Sequence, residues 1–170
     1  MGIKKNRIGI LGGSFDPAHK GHLAISKVAA KKLKLKKIFW AITKKNPFKK
    51  KSNTSISLRI KKCKEIINND YFIKVKFYEN LLKSNKTIKL INHLSKNKKN
   101  EIYFLMGADN LIEFHKWHKW KIIVKNCNIV VFDRYGYKKK SLNSVSFKKL
   151  KGKNLEFIEF NKVNISSSQL

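Results

Sequence analysis

The chain has 170 residues, 42% of them hydrophobic, which predicts one folded domain with a core and argues against a disordered segment. No run of about 18 apolar residues occurs, and no apolar stretch of the signal-peptide kind precedes the first predicted strand, so we expect neither a membrane span nor a secretory leader. Lysine and arginine total 40 against 10 acidic residues, a formal charge of +30, and only Arg7, Arg59 and Arg134 are arginines. The charge indicates either a polyanionic partner or biased codon use; because the lysines are spread along the whole chain, we favour codon bias.

The two cysteines are isolated from each other in the sequence. Cys63 and Cys127 predict neither a disulfide framework nor a C-x-x-C site. We therefore expect a reducing, cytoplasmic setting.

Strand and helix patterns alternate along the chain. Short apolar or alternating runs predict strands at residues 7–11, 37–43, 71–77, 101–106 and 128–132, with a possible sixth at 155–158. Helical spacing occurs at residues 23–30, 57–67, 87–94, 110–114 and 117–124. The second of these helices has a predicted cap around Thr54 or Ser55. Residues 135–146, which are polar and rich in lysine, predict a mobile loop.

This alternation predicts an α/β fold of the Rossmann-like, doubly wound type, with a mainly parallel sheet of five to six strands. We expect one domain over residues 1–170. Ligands of such sheets bind beyond the carboxyl ends of the strands. The glycine turns at Gly12-Gly13 and at Gly107 both follow predicted strands, so we expect them to share one cleft.

The first glycine turn carries the densest group of candidate functional residues. Its sequence, from Gly12 to His22, is GGSFDPAHKGH. A glycine-rich turn between strand and helix lets backbone amides approach an anion, and the helix N-terminus adds about half a positive charge. The spacing of His19 and His22 places both rings on one side of a helical turn. The turn matches neither G-x-G-x-x-G nor a Walker A loop. The alternative is a tight turn with a surface histidine pair, or a stray metal site.

The second candidate group lies between Met106 and Trp120. Gly107 allows backbone to approach a ligand closely, and Asp109, at a helix start, can cap the helix or accept hydrogen bonds from ribose hydroxyls. Trp117 and Trp120 offer flat faces on which a ring can stack. From these residues alone a second interpretation stays open, in which Asp109 is an N-cap and the two tryptophans are core anchors.

Both groups resemble motifs of a known enzyme superfamily. Residues 12–22 resemble the GG(S/T)FDPxHxGH signature of the HxGH nucleotidyltransferases. Residues 107–120 look like the GADN-L-xx-F-xx-W-xx-W stretch of its nicotinate-nucleotide adenylyltransferase branch. Weaker similarities involve the Asn46-Pro47-x-Lys49 loop, Arg59 at the start of the second helix, and Thr87. Ile165 to Ser168 is similar to the closing ISSTxxR motif, so the resemblance covers essentially the whole chain.

The resemblance implies an adenylyltransferase of NAD biosynthesis. Its reaction transfers AMP from ATP to nicotinate mononucleotide, giving nicotinate adenine dinucleotide and pyrophosphate, with Mg²⁺ accompanying ATP and few protein ligands to that ion. The catalytic residues that it implies are His22 and His19. The implied ATP-binding residues are Gly12, Gly13, Ser14, Phe15, His19, His22, Gly107, Asp109, Ser166, Ser167 and Ser168. The implied substrate-binding residues are Asp16, Asn46, Lys49, Thr87 and Trp117.

One departure from the family pattern concerns the end of the chain. The family places the Arg of its closing motif one residue beyond Leu170, so we expect the last C-terminal helix to be missing and activity to be weak or absent. A lysine in place of that Arg would lack its bidentate fork.

Two other functions compete with this one. Phosphopantetheine adenylyltransferase also closes on an ISSS run, but it has Thr where His19 stands and lacks the tryptophan pair. A basic nucleic-acid-binding protein would explain the charge but not residues 12–22. We expect neither a nucleic acid nor a membrane as partner. His93 and His118 are expected to be structural or surface residues, and His115 lies near the proposed ring site.

Overall fold

The computed structural model describes residues 4–45 and 54–160. Within these ranges the chain forms two compact units. The first unit comprises residues 7–85, and the second comprises residues 86–160 together with residues 4–6. The expected single domain over residues 1–170 stays a prediction.

The first unit alternates strand and helix. Its elements are β1 (Asn6–Gly13), α1 (Lys20–Leu33), β2 (Lys37–Ile42), α2 (Ile56–Ile67), β3 (Ile73–Lys76) and α3 (Tyr78–Leu82). The strand order is β3-β2-β1, and both pairings are parallel, with Leu11 opposite Trp40 and Ile38 opposite Ile73.

The second unit has the same alternation. Its elements are α4 (Thr87–Ser95), β4 (Asn100–Gly107), α5 (Ala108–Glu113), a 3₁₀ turn (Phe114–Lys116), α6 (Trp120–Asn126), β5 (Asn128–Phe132), α7 (Lys138–Leu142), α8 (Val145–Leu150) and β6 (Leu155–Ile158). The strand order is β4-β5-β6, again parallel, with Phe104 opposite Ile129 and Val131 opposite Phe157.

Strands β4 and β5 are apolar on both faces. The five consecutive residues from Ile102 to Met106 are all buried, and so are the four from Ile129 to Phe132. Such runs are typical of parallel strands covered by helices on both sides. The predicted α/β fold with six mainly parallel strands is confirmed for the residues described.

Two predicted boundaries are wrong. β3 begins at Ile73, after a turn in which the Ile73 amide donates to the Asp70 carbonyl, and it leaves Tyr71 84% exposed. The helix predicted from residue 117 begins only at Trp120. Lys119, with φ of 54°, adopts the left-handed conformation and separates α6 from the 3₁₀ turn.

The mobile loop predicted at residues 135–146 is also wrong, because α7 and the start of α8 occupy it. Ser144 caps α8 by accepting from the Phe147 amide at 3.1 Å, and its hydroxyl donates to the Ser141 carbonyl at 2.6 Å. The Ser141 hydroxyl donates to the Lys138 carbonyl at 2.8 Å. Serines that bond to nearby backbone in this way can be buried, which their polarity conceals in a sequence.

Over the described ranges, none of the helices combines the length and the apolar character needed to cross a membrane.

Candidate active site

The turn that follows β1 is braced by an aromatic stack. Phe15 has φ of 50°, in the left-handed region that non-glycine residues rarely adopt. Its ring is 2% exposed and stacks on Trp40, with ring centroids 5.1 Å apart and planes at 18°. The Thr43 amide, just beyond β2, donates to the Gly13 carbonyl at 2.9 Å. Packing and hydrogen bonding thus hold the turn in one conformation, and Asp16 follows Phe15 directly.

Two histidines begin helix α1 by capping each other's backbone. The Gly21 amide donates to Nδ1 of His19, and the His19 amide donates to Nδ1 of His22, each at 3.2 Å. This is a capping box in which imidazoles replace the usual serine and glutamate. Because each Nδ1 is an acceptor, each neutral ring carries its hydrogen on Nε2. The caps therefore fix the tautomer of both rings.

The two rings also lie together in space, as their spacing predicts. Their centroids are 3.9 Å apart, and the His22 ring is 4.8 Å from the Phe15 ring. Two Nε2–H groups beside a helix N-terminus and a fixed turn can stabilise negative charge on a phosphate. The alternative of a surface histidine pair does not describe these rings, because both are partly buried and serve as helix caps.

The second turn, between β4 and α5, presents a partly buried carboxylate. Oδ2 of Asp109 accepts from Nη1 of Arg134 at 2.7 Å, while Oδ1 is buried and has no hydrogen-bond partner among the described residues. The N-cap of α5 is Gly107, with no side-chain cap bond, so the interpretation of Asp109 as an N-cap is wrong. A buried carboxylate oxygen with accepting capacity left over is costly, and a ribose hydroxyl would satisfy it.

Gly107 is explained by this same carboxylate. A Cβ at position 107 would lie 2.5 Å from Oδ1 of Asp109, closer than real Cβ atoms approach an oxygen. The absence of a side chain at Gly107 therefore leaves space for the Asp109 carboxylate. This reason for glycine differs from the one that the sequence indicates, namely the close approach of backbone to a ligand.

Trp117 is neither a core residue nor a surface residue. Its half-buried ring packs edge-on against Phe104 and Phe114, with centroids 5.9 and 5.3 Å away. In the part of the chain that the structure describes, the buried indole Nε1 has no hydrogen-bond partner. Trp120 is also half-buried, so neither of the tryptophans that could be core anchors is fully buried.

The comparisons with known proteins identify the family. A sequence profile of the cytidylyltransferase-like family matches residues 10–170. A protein of Pelagibacter ubique described as a probable nicotinate-nucleotide adenylyltransferase is 66% identical over 167 residues, which cover 98% of this chain and 93% of that protein. The chain belongs to the nicotinate-nucleotide adenylyltransferase family.

The chain is also similar to a second curated relative and, in fold, to solved structures. A Ruegeria protein with the same description is 36% identical over 130 residues, which cover 76% of this chain and 68% of that protein. The fold matches that of Plasmodium falciparum nicotinic acid mononucleotide adenylyltransferase complexed with APC, at a TM-score of 0.77 and 23% identity over 96% of this chain and 81% of that one. The complex of that protein with NaAD gives a TM-score of 0.74. The predicted family resemblance is thus confirmed, and the two alternative functions are not favoured.

Several predicted site residues cannot be placed. Asn46, Lys49, Ser166, Ser167 and Ser168 lie outside the described residues. Thr87 is the first residue of α4 in the second unit. Whether the Gly12-Gly13 turn and the Gly107 turn share one cleft stays a prediction, since they belong to different units.

No role for the arginines was predicted from the sequence beyond the family similarity at Arg59, although a signal was present. In a chain whose cations are nearly all lysine, each of the three arginines makes a directed hydrogen bond. Arg7 donates to the Leu33 carbonyl, Arg134 pairs with Asp109, and Arg59 donates to backbone carbonyls beside the first turn. The planar guanidinium provides several fixed donors where lysine provides a point charge.

His115 is fixed by the segment that was expected to be a loop. The Ser146 hydroxyl accepts from the His115 amide at 2.9 Å and lies 3.1 Å from Nδ1 of the ring. Having accepted from the amide, this hydroxyl can donate its hydrogen to Nδ1. The contact holds His115 against α8.

Among the described residues, no group of three or more His, Cys, Asp or Glu side chains is arranged to hold a metal ion. Enzymes of this superfamily generally use a divalent metal together with ATP.

Proposed function

We propose that this chain transfers AMP from ATP to nicotinate mononucleotide, giving nicotinate adenine dinucleotide and pyrophosphate in NAD biosynthesis. The observation that carries the proposal is the His19–His22 pair, capped so that both rings hold their hydrogens on Nε2 beside a braced glycine turn. The 66% identity to the Pelagibacter protein supports the same reaction.

The reaction places its demands on binding and charge. A 5′-phosphate oxygen of nicotinate mononucleotide attacks the α-phosphorus of ATP, and the bond from that phosphorus to the bridging oxygen of pyrophosphate breaks. The nucleophile is already an anion near neutral pH, so no general base is needed. The protein must hold two anions together and stabilise the charge that develops in the transition state.

We assign these tasks to residues of the first unit. His22 stabilises the α-phosphate and the transition state, and His19 binds the phosphates more generally. The backbone amides of Gly12, Gly13, Ser14 and Phe15 line the same anion site, and Asp16 contributes to substrate binding. The support for these roles is the fixed tautomer of the rings and the braced conformation of the turn.

The remaining roles concern ribose, ring and loops. Asp109, with Gly107 beside it, binds the ATP ribose through the buried Oδ1 that has no partner. Thr87 and Trp117 hold the nicotinate ring. Asn46 and Lys49 contribute to binding nicotinate mononucleotide. Ser166, Ser167 and Ser168 bind the triphosphate and adenine side of ATP.

The divalent cation is Mg²⁺, entering with ATP as part of the substrate. This hard ion binds phosphate oxygens and keeps several waters, so it needs few protein ligands. We place the enzyme in the cytoplasm, on the basis of its two unpaired, buried cysteines.

One assay separates the proposal from its alternatives. Pyrophosphate release from Mg-ATP is measured with nicotinate mononucleotide, nicotinamide mononucleotide or phosphopantetheine supplied in turn. We expect release with nicotinate mononucleotide, detected with radiolabelled ATP. Release with phosphopantetheine alone would favour the second nucleotidyltransferase, and salt-dependent binding of random duplex without ATP binding would favour a nucleic-acid-binding protein.

The His22→Ala variant tests the mechanism. One lost donor to a charged transition state reduces kcat by about 10²–10³-fold. Near-normal turnover would remove His22 from the mechanism. Circular dichroism is the control, because His22 also caps α1.

A further inference from the structure

The side chain of Arg59 connects two loops of the first unit from a buried position. It is 3% exposed and lies on α2. Its Nη1 donates to the carbonyls of Ser14 at 2.8 Å and Thr43 at 2.9 Å, and its Nη2 donates to the carbonyl of Lys44 at 3.4 Å. Ser14 belongs to the turn after β1, whereas Thr43 and Lys44 follow β2.

A buried cation is costly unless its donors are satisfied. Here the guanidinium donates to three backbone carbonyls, and Nε is buried with no hydrogen-bond partner among the described residues. A residue selected only for packing would not place a charge here. A guanidinium suits this position, because its planar group has several fixed donors and donates to carbonyls of two loops at once.

The segment after β2 is also held by an acidic residue. Oε2 of Glu79, on α3, accepts from the Lys44 amide at 3.2 Å, and Arg59 attracts the same carboxylate electrostatically. The Thr43–Lys44 segment is thus held by Arg59 through its carbonyls and by Glu79 through its amide. The Thr43 amide in turn donates to the Gly13 carbonyl, which closes the connection to the first turn.

We propose that Arg59 is a positioning residue that fixes the anion-binding turn at Gly13 and Ser14 against the loop residues Thr43 and Lys44, which precede Asn46 and Lys49 in the sequence. This rests on the proposed function, because the turn is assigned to ATP and the loop to the second substrate. Arg59 acts through the backbone of these two segments.

The test compares Arg59→Ala and Arg59→Lys with Cys63→Ala. Cys63 lies one turn further along α2 and is also fully buried, so its replacement disturbs the packing of the same helix without removing a bond to either loop. KM for each substrate and kcat are measured well below the melting temperature of each variant. For Arg59→Ala we expect kcat/KM for ATP to fall by about 10- to 100-fold, the range of a lost charged hydrogen bond. We expect partial recovery in Arg59→Lys, and values within about twofold of wild type in Cys63→Ala.

A residue that only stabilised the fold would lower the amount of active enzyme and leave KM unchanged. Amide hydrogen exchange gives a second readout that does not depend on activity. In Arg59→Ala we expect faster exchange at Thr43 and Lys44, and in Cys63→Ala we expect exchange at these two amides as in wild type. Should Arg59→Ala fail to fold, Arg59→Lys carries the same measurements.

Unchanged kinetics together with unchanged exchange in a folded Arg59 variant would overturn the positioning role. A wild-type chain that transfers no adenylyl group would refute the proposed function instead. In that case the exchange rates of Thr43 and Lys44 alone decide whether Arg59 holds the two loops.

Discussion

Replacing Gly107 with alanine tests how Asp109 is held. The added methyl group would lie 2.5 Å from Oδ1 and 3.7 Å from Cγ of Asp109. Gly107 has φ of −77° and ψ of 157°, a conformation open to any residue, so the backbone accepts alanine without strain. The effect of Gly107→Ala must therefore arise from the displaced carboxylate.

The size of the effect follows from that displacement. A carbon and an oxygen need about 3.3 Å or more, so the carboxylate has to move by roughly 1 Å. Oδ2 is 2.7 Å from Nη1 of Arg134, and such a shift takes this bond beyond normal length. Because the Arg134 side chain is 48% exposed, losing this pair costs no more than about 1 kcal/mol of stability. Losing the contact that we propose from Oδ1 to a ribose hydroxyl would cost about 1.5–3 kcal/mol, roughly a 10- to 150-fold loss in kcat/KM for ATP.

The assay is a double-mutant cycle on initial rates of pyrophosphate release with ATP varied. The four proteins are wild type, Gly107→Ala, Asp109→Ala and the double variant. We expect Gly107→Ala to lose activity in the wild-type background and to have no further effect once Asp109 is alanine, because no carboxylate is left to displace. Losses that multiply in the double variant, or a Gly107→Ala enzyme with normal KM for ATP, would refute the reasoning.

Three further predictions concern stability and reactivity. Burial raises the pKa of both Cys63 and Cys127 to about 12, so the thiolate fraction at pH 8 is about 10⁻⁴. We therefore expect a disulfide reagent to label neither thiol until the chain is unfolded. Rapid labelling of the native chain would contradict this. Burial also raises the pKa of Glu79 above its usual 4.5, which means that its ionised form is disfavoured in the folded chain. The stability of wild type relative to Glu79→Gln should therefore fall as the pH rises above about 4.5. Urea unfolding of both proteins at pH 4 and pH 7 measures this difference, and a difference that does not change with pH would show the reasoning to be wrong. Ser144→Ala removes the cap of α8 and should lower the free energy of unfolding by about 1 kcal/mol. Ser144→Thr is the matched control and should recover much of this loss. Equal melting temperatures for Ser144→Ala and wild type would count against the cap.

Much of the fold could be predicted because parallel strands covered on both faces are written as continuous apolar runs, such as residues 101–106 and 128–132. The first turn could be predicted because its glycines, its histidines and the adjoining strand and helix all point to one local structure. The cap of α2 predicted at Thr54 or Ser55 is confirmed at Ser55, because capping is a local interaction.

What could not be predicted depends on contacts that are distant in the chain or on single backbone angles. The hydrogen bond from Arg59 to the Ser14 carbonyl joins residues 45 positions apart. Because every residue has a backbone carbonyl, the residue type at position 14 does not indicate this bond. The left-handed conformation of Lys119, which sets the start of α6, occurs at a residue type that rarely adopts it. The pairing of Asp109 with Arg134 likewise depends on the ends of two neighbouring strands.

The histidine capping box has a consequence for how the enzyme is made ready for its substrates. The first turn of α1 can form in this way only when both imidazoles offer a lone pair at Nδ1, so starting the helix also leaves the hydrogen of each neutral ring on Nε2. For the phosphate site that we propose, folding therefore also sets the tautomer of the two donors, and no later proton shift is needed when a nucleotide arrives. A substitution that preserves the helix cap, such as His19→Ser, would keep the fold and remove the imidazole N–H donor. This variant would therefore separate the structural role of His19 from its proposed role in binding phosphate.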